Sequence, residues 1–183
     1  MQFLVQTVLT DPTIRSSHCE PYQWLTFSYF ENSGQDQGVG VDPTLEGFVR
    51  AVVHHRDDKC NHCDRSNNEH TIIFLHHNEK IEISVSSLES IDPQPNLDGA
   101  ASKSSKILQW HTCSMCQATT IPTTLCSTSS SFSFAKFLEL LLYDSNLIPV
   151  PKLCDHAATE RTALVRSFTL DEQVVQLRRS SVP

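Results

Sequence analysis

Four residues with metal-binding side chains lie at the two ends of one long segment of the chain. Cys113 and Cys116 form a C-x-x-C pair at its start, and Cys154 and His156 form a C-x-H pair at its end. Two thiols separated by two residues can grip one metal ion from the same side, and Zn²⁺ accepts thiolate and imidazole ligands alike. The spacing C-x2-C-x37-C-x-H leaves a loop long enough to contain a helix. We therefore expect Cys113, Cys116, Cys154 and His156 to close one zinc site.

A second C-x-x-C pair, Cys60 and Cys63, lies upstream and is a candidate for a second zinc site with His70 and His76. These two histidines could equally be polar residues on the face of a hairpin. Two alternatives stay open at this point. The two C-x-x-C pairs could share one ion, with the spacing C-x2-C-x49-C-x2-C, or the thiols could bind no metal.

The chain has 7 cysteines, an odd number, and the short apolar start at residues 1–9 lacks the basic residues of a secretory signal. Paired C-x-x-C spacing in such a context favours metal binding over a disulfide framework. A redox C-x-x-C is disfavoured because neither pair follows a strand and opens a helix. Cys19 and Cys126 have no partner at metal spacing, so we expect them to be buried apolar thiols.

Composition excludes several classes of function. The net charge is −7 and no run of lysine or arginine exceeds two residues, which disfavours nucleic-acid binding and adhesion to an anionic membrane. No apolar run is long enough to span a bilayer. His54-His55-Arg56 superficially resembles a basic lipid-binding motif, but Asp57 and Asp58 follow it at once. We expect neither nucleic-acid partners nor direct membrane insertion.

The elements that must position these residues follow from hydrophobic periodicity. Residues 22–30 are aromatic and predict a strand, whereas residues 1–20 show little beyond a short apolar start. Helical spacing of apolar residues predicts helices over residues 44–53 and from Phe134 to Tyr143, the second ending by Asn146. Further strands are expected at residues 71–76, 80–85, 107–112, 163–168 and 173–177, the first two joined by a turn at His77-Asn78-Glu79.

The predicted fold class is α+β, with short antiparallel strands and two helices stapled by one or two structural zinc sites. The Ser-, Pro-, Asp- and Asn-rich residues 86–105 predict a mobile linker or insertion. This linker separates an N-terminal half, residues 1–85, from a C-terminal half, residues 106–183.

Several motifs, taken together, are similar to one known family. The order Trp-x-x-Cys-x-x-Cys, Thr-x-Pro, Ser-Phe-x-Lys-Phe-Leu-Glu-Leu, Cys-x-His and Val-Arg-x-Phe resembles the cysteine-rich region of PIKfyve-type phosphatidylinositol 3-phosphate 5-kinases. The matching residues are Trp110, Cys113, Cys116, Thr120, Pro122, Ser133, Phe134, Lys136, Phe137, Leu138, Glu139, Leu140, Cys154, His156, Val165, Arg166 and Phe168. Upstream, residues 42–45 with Phe48, the Cys60–Cys63 pair with His70, residues 74–76 and residues 81–83 are also similar.

The resemblance covers roughly residues 19–178 and implies a middle piece of a larger protein. In that family the region follows a chaperonin-like domain and precedes a lipid kinase domain. The implied role is a non-catalytic scaffold or regulatory region in endosomal and vacuolar phosphoinositide metabolism. Its implied partners are other proteins or other domains of the parent kinase. Its implied location is cytoplasmic, peripheral on endosomal or vacuolar membranes through that parent.

Catalytic motifs are not visible in the sequence itself. There is no Gly-rich phosphate loop followed by a strand lysine, and three of the 5 glycines cluster at residues 34–40. Two other classes of function remain as alternatives. One is a free-standing zinc-binding interaction module, and the other is a small zinc enzyme, for which Glu160 is the only acidic residue close downstream of His156.

Overall fold

The computed structural model describes residues 1–10, 19, 22–27, 42–92, 106–143, 153–159 and 161–182. Eight strands form one sheet in the order β2-β1-β3-β4-β8-β7-β5-β6, and all neighbouring strands are antiparallel. The strands are β1 Gln2–Leu9, β2 Gln23–Thr26, β3 His70–His76, β4 Glu79–Ser87, β5 Leu108–Cys113, β6 Thr123–Thr124, β7 Leu164–Leu170 and β8 Gln173–Ser181. The predicted α+β class is confirmed.

The two predicted helices are present, with two short ones beside them. The α-helices are α1 Leu45–His54, α2 Ser127–Ser130, α3 Phe134–Leu142 and α4 Asp155–Thr159. Short 3₁₀ turns occupy Asn67–Glu69, Leu88–Ser90 and Arg161–Ala163. Within the described residues, no helix is both long enough and apolar enough to cross a membrane.

The two halves of the chain meet in the middle of the sheet. Strand β8 pairs with β4 along nine residue pairs, from Glu79↔Ser181 to Ser87↔Gln173, and with β7 on its other side. The second strand of the first hairpin therefore lies directly beside the last strand of the chain. Of the predicted linker, residues 86–92 are the end of β4 and a 3₁₀ turn, and residues 93–105 lie outside the described residues.

Strand β1 was not expected from the sequence. Residues 2–9 pair with β2 on one side and with β3 on the other, and Phe3 is completely buried. The predicted strand at residues 22–30 is shorter, because β2 ends at Thr26 and residues 28–30 lie outside the described part. The tip of the β3–β4 hairpin is His77-Asn78, with His77 at φ 54°, and Glu79 already belongs to β4.

The hydrophobic core lies between one face of this sheet and helices α1 and α3. The ring of Phe134 stacks on Phe48 from α1 at 3.6 Å between centroids and meets Phe74 from β3 edge-on at 5.8 Å. The predicted apolar face of α3 is buried at Phe134, Phe137, Leu138 and Leu142, so it belongs to the core. On the sheet side the core includes Phe3, Phe74, Ile81, Ile83, Phe168, Val175 and Leu177.

A carboxylate distant in sequence caps helix α3. Asp42 accepts a hydrogen bond from the Ser133 hydroxyl at 2.5 Å and one from the Ala135 backbone N–H at 3.0 Å. The Ser133 hydroxyl in turn accepts the Lys136 N–H, as an N-cap residue does. Backbone bonds from Phe134 to Pro43 and from Leu45 to Phe132 continue this contact. Residues 42–45 thus connect the start of α1 to the start of α3.

Candidate metal centres

The first cluster is built on a tight turn between α1 and β3. The Cys60 N–H donates to the Arg65 carbonyl at 2.8 Å, and the Asp64 N–H donates to the Cys60 carbonyl at 3.1 Å. Asp64 has φ 57°, a left-handed conformation that aspartate tolerates better than most residues. This turn brings the thiols of Cys60 and Cys63 to the same side.

Two further residues complete this cluster. His70, the first residue of β3, is 4% exposed, and its Nε2 lies 3.2 Å from the Cys63 sulfur. The Cys19 sulfur lies 3.4 Å from the Cys60 sulfur, and the Cys19 backbone N–H bonds to the Thr7 carbonyl of β1. The four ligand atoms of Cys19, Cys60, Cys63 and His70 all lie within 4.8 Å of one another. Ligand atoms of a tetrahedral zinc site lie about 3.5–3.8 Å apart, so the spacing fits a metal ion.

The environment of His70 leaves its Nε2 available as a ligand. The other ring nitrogen, Nδ1, lies 2.9 Å from the Ser66 carbonyl oxygen, to which it can only donate. This bond fixes the tautomer in which Nε2 carries a lone pair. A backbone acceptor behind a ligating imidazole is the usual support of a metal-bound histidine.

His76 does not join this cluster. It is the last residue of β3, whereas His70 is the first, so the length of the strand separates the two side chains. His76 lies instead beside His77 and Tyr143 at the tip of the hairpin. The place that the sequence analysis gave to His76 is taken by Cys19, which was expected to be a separate buried thiol.

The second cluster contains the four residues expected from the spacing. Cys113 is the last residue of β5 and is fully buried, Cys116 is exposed on the turn that follows, and Cys154 and His156 lie at the start of α4. Their four ligand atoms also lie within 4.8 Å of one another. Asp155, between the two ligand residues, is the first residue of α4 and has no positive φ.

The two C-x-x-C turns have the same backbone structure. In the second, the Cys113 N–H donates to the Ala118 carbonyl and the Gln117 N–H donates to the Cys113 carbonyl, both at 2.9 Å. Gln117 has φ 61°, and it follows the second cysteine as Asp64 does in the first turn. Each turn belongs to its own cluster, so the structure does not place the two pairs around one shared ion.

Backbone N–H groups of these turns stabilise one thiolate in each cluster. Burial opposes the effect, but N–H groups of His62 and Cys63 and the neighbouring thiols lower the pKa of Cys60. The same holds for Cys113. Burial alone would raise its pKa, but N–H groups of Cys116 and Met115 and the thiols of Cys154 and Cys116 lower it. Burial and hydrogen bonds with the other two thiols raise the pKa of Cys19 to about 12.

The pKa of Cys154 is raised for a related reason. The Ala157 N–H, 3.4 Å from its sulfur, lowers the pKa, but burial and the thiols of Cys116 and Cys113 outweigh it. Several thiolates so close together repel one another, so all of them can be ionised only when a cation lies among them. Both clusters could therefore hold a metal ion.

Cys126 is the one cysteine outside both clusters. It was expected to be buried, but it is exposed just before α2, where apolar packing is not possible. Its sulfur lies 3.2 Å from the Ser129 hydroxyl. The neutral thiol donates to this hydroxyl, whereas the ionised sulfur accepts bonds from the Ser129 hydroxyl and backbone N–H, and these lower the pKa of Cys126.

A half-open cavity of about 310 Å³ lies between α3 and strands β5 and β7, and His111 and Arg166 line it. Burial, together with the neighbouring guanidinium, lowers the pKa of His111 to about 4. Its neutral Nε2 accepts a hydrogen bond from Arg166 at 2.9 Å. An imidazole held neutral in this way has little capacity to act as an acid or base near pH 7.

No protein-family model matches the chain, and comparisons with curated proteins and with solved structures likewise find no similar protein.

Proposed function

We propose that the chain is a zinc-stapled, non-catalytic scaffold. One observation carries this proposal: each C-x-x-C turn meets one further cysteine and one histidine from another part of the chain. Three thiolates and one imidazole form a donor set that suits Zn²⁺ in a tetrahedral structural site. The exposed surface of the second cluster, at Cys116 and His156, gives a path for the ion to enter.

The number of donors favours a structural role over a zinc enzyme. A catalytic zinc keeps one position open for water or substrate, whereas four protein ligands fill a tetrahedral shell. Both clusters offer four donors within the described residues. Glu160, the candidate general base, lies outside the described residues.

We further propose that this scaffold is the cysteine-rich region of a phosphatidylinositol 3-phosphate 5-kinase, which produces the 3,5-bisphosphate on endosomal or vacuolar membranes. The support is the resemblance in sequence, and the contact between two of its motifs is consistent with it. Two segments from different motifs are hydrogen-bonded to each other at the start of α3, namely residues 42–45 and residues 133–134. The partners would then be other domains of the parent kinase or proteins bound to it.

Zinc stoichiometry on purified, reduced protein tests the zinc proposal. We expect two equivalents in the wild type, one in Cys63→Ser and one in Cys116→Ser, because each substitution removes one ligand of one cluster. Cys126→Ser is the matched control and should retain both equivalents. Structural zinc contributes on the order of 10 kcal/mol of folding free energy, so far-UV circular dichroism of Cys116→Ser should also show loss of helix α3. Metal-free wild-type protein, or equal loss in Cys126→Ser, contradicts the proposal.

A chimaera tests the assignment to the kinase. In it, this chain replaces the cysteine-rich region of an active phosphatidylinositol 3-phosphate 5-kinase, and turnover of phosphatidylinositol 3-phosphate is measured. We expect activity in the chimaera, its loss with Cys116→Ser, and no ATP turnover by the isolated chain. An inactive chimaera whose zinc content is intact would reject the kinase assignment and leave the zinc scaffold standing.

A further inference from the structure

The half-open cavity of about 310 Å³ beside α3 has a polar wall that comes from the sheet. Arg166 of β7 and His111 of β5 are cross-strand partners, so their side chains lie on one face. Phe168, two residues after Arg166, lies on that same face and belongs to the core. Both polar side chains therefore lie on the face of the sheet that packs against α1 and α3.

The opposite wall is apolar and comes from the helices and the core beneath them. Phe137 of α3 meets Phe168 edge-on, with ring centroids 6.3 Å apart, and both rings are buried. Leu45 at the start of α1 is also buried, whereas Phe132 and Leu140 are partly buried. All five of these residues line the cavity. A hydrocarbon chain or ring that enters this space would therefore be removed from water.

The polar wall offers hydrogen-bond donors and a positive charge. A guanidinium can only donate, so the 2.9 Å contact between Arg166 and Nε2 of His111 makes that nitrogen the acceptor. The imidazole is thus neutral and carries its proton on Nδ1, which is a donor. Arg166 stays charged, and the described residues that line the cavity include no aspartate or glutamate. This wall therefore suits an acceptor with a negative charge.

We propose that this cavity binds a small carboxylic acid with an apolar body, in its ionised form. A guanidinium pairs with a carboxylate in matching geometry, and the single charge of a carboxylate balances the charge of Arg166. A phosphate would bring further charge, which no second cation balances among the described residues that line the cavity. The volume is at the lower end of the range for small-molecule sites, which favours a free molecule over the end of a protein chain. Neither thiol cluster takes part, so the site is independent of the proposed function.

Octanoate is the probe for this site, because its chain is apolar and its head group is one carboxylate. Isothermal titration calorimetry of the purified full chain, with octanoate kept below its micelle concentration, should show one saturable equivalent. 1-Octanol has the same chain without the charge and should bind weaker by about tenfold or more, because the charge-assisted hydrogen bond is lost. A short peptide that ends in leucine with a free carboxylate should not displace octanoate.

A pair of arginine variants locates the head group. Arg166→Gln should weaken octanoate binding by about tenfold or more, because the charge in the cavity is removed. Arg178→Gln is the matched control and should bind octanoate as the wild type does. Arg178 of β8 is the cross-strand partner of Val165, so its side chain lies on the opposite face of the sheet from Arg166.

A second pair of variants acts at the edge of the cavity. Thr128 of α2 lines the cavity and is exposed. Thr128→Asp places a carboxylate there and should weaken octanoate binding several-fold through like-charge repulsion. Thr128→Asn has nearly the same shape without the charge and should retain wild-type affinity.

Circular dichroism and thermal unfolding establish that each variant is folded. Should Arg166→Gln fail this check, the comparison of Thr128→Asp with Thr128→Asn decides. The proposal is overturned by the absence of saturable octanoate binding, by equal affinity for octanoate and 1-octanol, or by displacement of octanoate by the peptide. It is also overturned if the two members of either pair of variants bind octanoate equally well.

Discussion

At the scale of single residues, the first cluster differs from the sequence-based prediction in one candidate ligand, which is Cys19 and not His76. The sequence predicts both His70 and His76 as ligands, but only His70, the first residue of β3, lies with the thiols, whereas His76 ends the same strand. Cys19 comes from much earlier in the chain and is brought in by its backbone bond to Thr7 of β1. The cluster is therefore assembled by the sheet and not by local spacing alone.

This arrangement predicts which substitution releases zinc. Cys19→Ser should lose one zinc equivalent and leave the other, because a serine hydroxyl is a poor zinc ligand. His76→Ala should retain both equivalents, because its ring lies at the opposite end of β3. Zinc measured by mass spectrometry on the two variants gives the answer, and loss from His76→Ala with retention in Cys19→Ser would reverse the assignment of the ligand.

A second prediction concerns the reactivity of Cys126. In zinc-loaded protein this exposed thiol should be alkylated by iodoacetamide before any other, because it lies outside both clusters and hydrogen bonds from Ser129 lower its pKa. Below the ordinary thiol pKa, a lowered pKa increases the thiolate fraction, so Ser129→Ala should slow the reaction. Peptide mass mapping over time from pH 6 to pH 9 measures both effects.

The control for Cys126 is Ser130→Ala, because the Ser130 hydroxyl donates to the Ser127 carbonyl and not to the sulfur. Equal rates in wild type and Ser129→Ala would show that the hydrogen bonds from Ser129 do not tune this thiol.

At the scale of secondary-structure elements, helix α3 is held by groups at both of its ends. Asp42 and Ser133 satisfy N–H groups at its start, and Arg179 donates to the Leu141 carbonyl near its end. Its apolar face fills the core between these two contacts. A helix of nine residues is too short to be stable alone, so tertiary contacts must provide its stability.

Removal of the Asp42 cap should therefore be costly. Asp42→Ala is expected to lower the free energy of unfolding of the zinc-loaded protein by about 1–2 kcal/mol, the usual loss for a helix cap. Asp57→Ala is the control, since Asp57 is largely exposed, pairs with Arg56 and accepts only a long 3.5 Å bond from Asn68 besides, and it should cost below about 0.5 kcal/mol. Denaturant titration compares the two, and an equal effect of both would mean that the Asp42 contact adds nothing.

At the scale of the whole molecule, the central feature is the pairing of β4 with β8. The two strands come from the predicted N-terminal and C-terminal halves, yet they form nine residue pairs and share one core. Each half contributes one thiol cluster. Strand pairing within the sheet thus joins the two halves.

A cut in the connection should leave the halves associated. A specific protease site introduced within residues 93–105 should yield two fragments that co-elute in size-exclusion chromatography and separate only in denaturant. The reason is that cleavage there breaks no strand pairing among the described residues. Fragments that separate under native conditions, or that lose zinc after cleavage, would contradict this expectation.

The sequence by itself determined the features that depend on local chemistry. Apolar spacing located α1 and α3, alternation located the β3–β4 hairpin, and the cysteine spacing located both C-x-x-C turns and the four members of the second cluster. Strand β1 was not predicted, because its apolar residues do not alternate clearly with polar ones. Only the tertiary structure placed β8 beside β4, Asp42 on α3, and Cys19 at the first cluster. The physical reason is the separation in sequence, because these contacts join residues 41 or more positions apart. The closure of such long loops leaves no periodic pattern in the sequence from which it could be predicted.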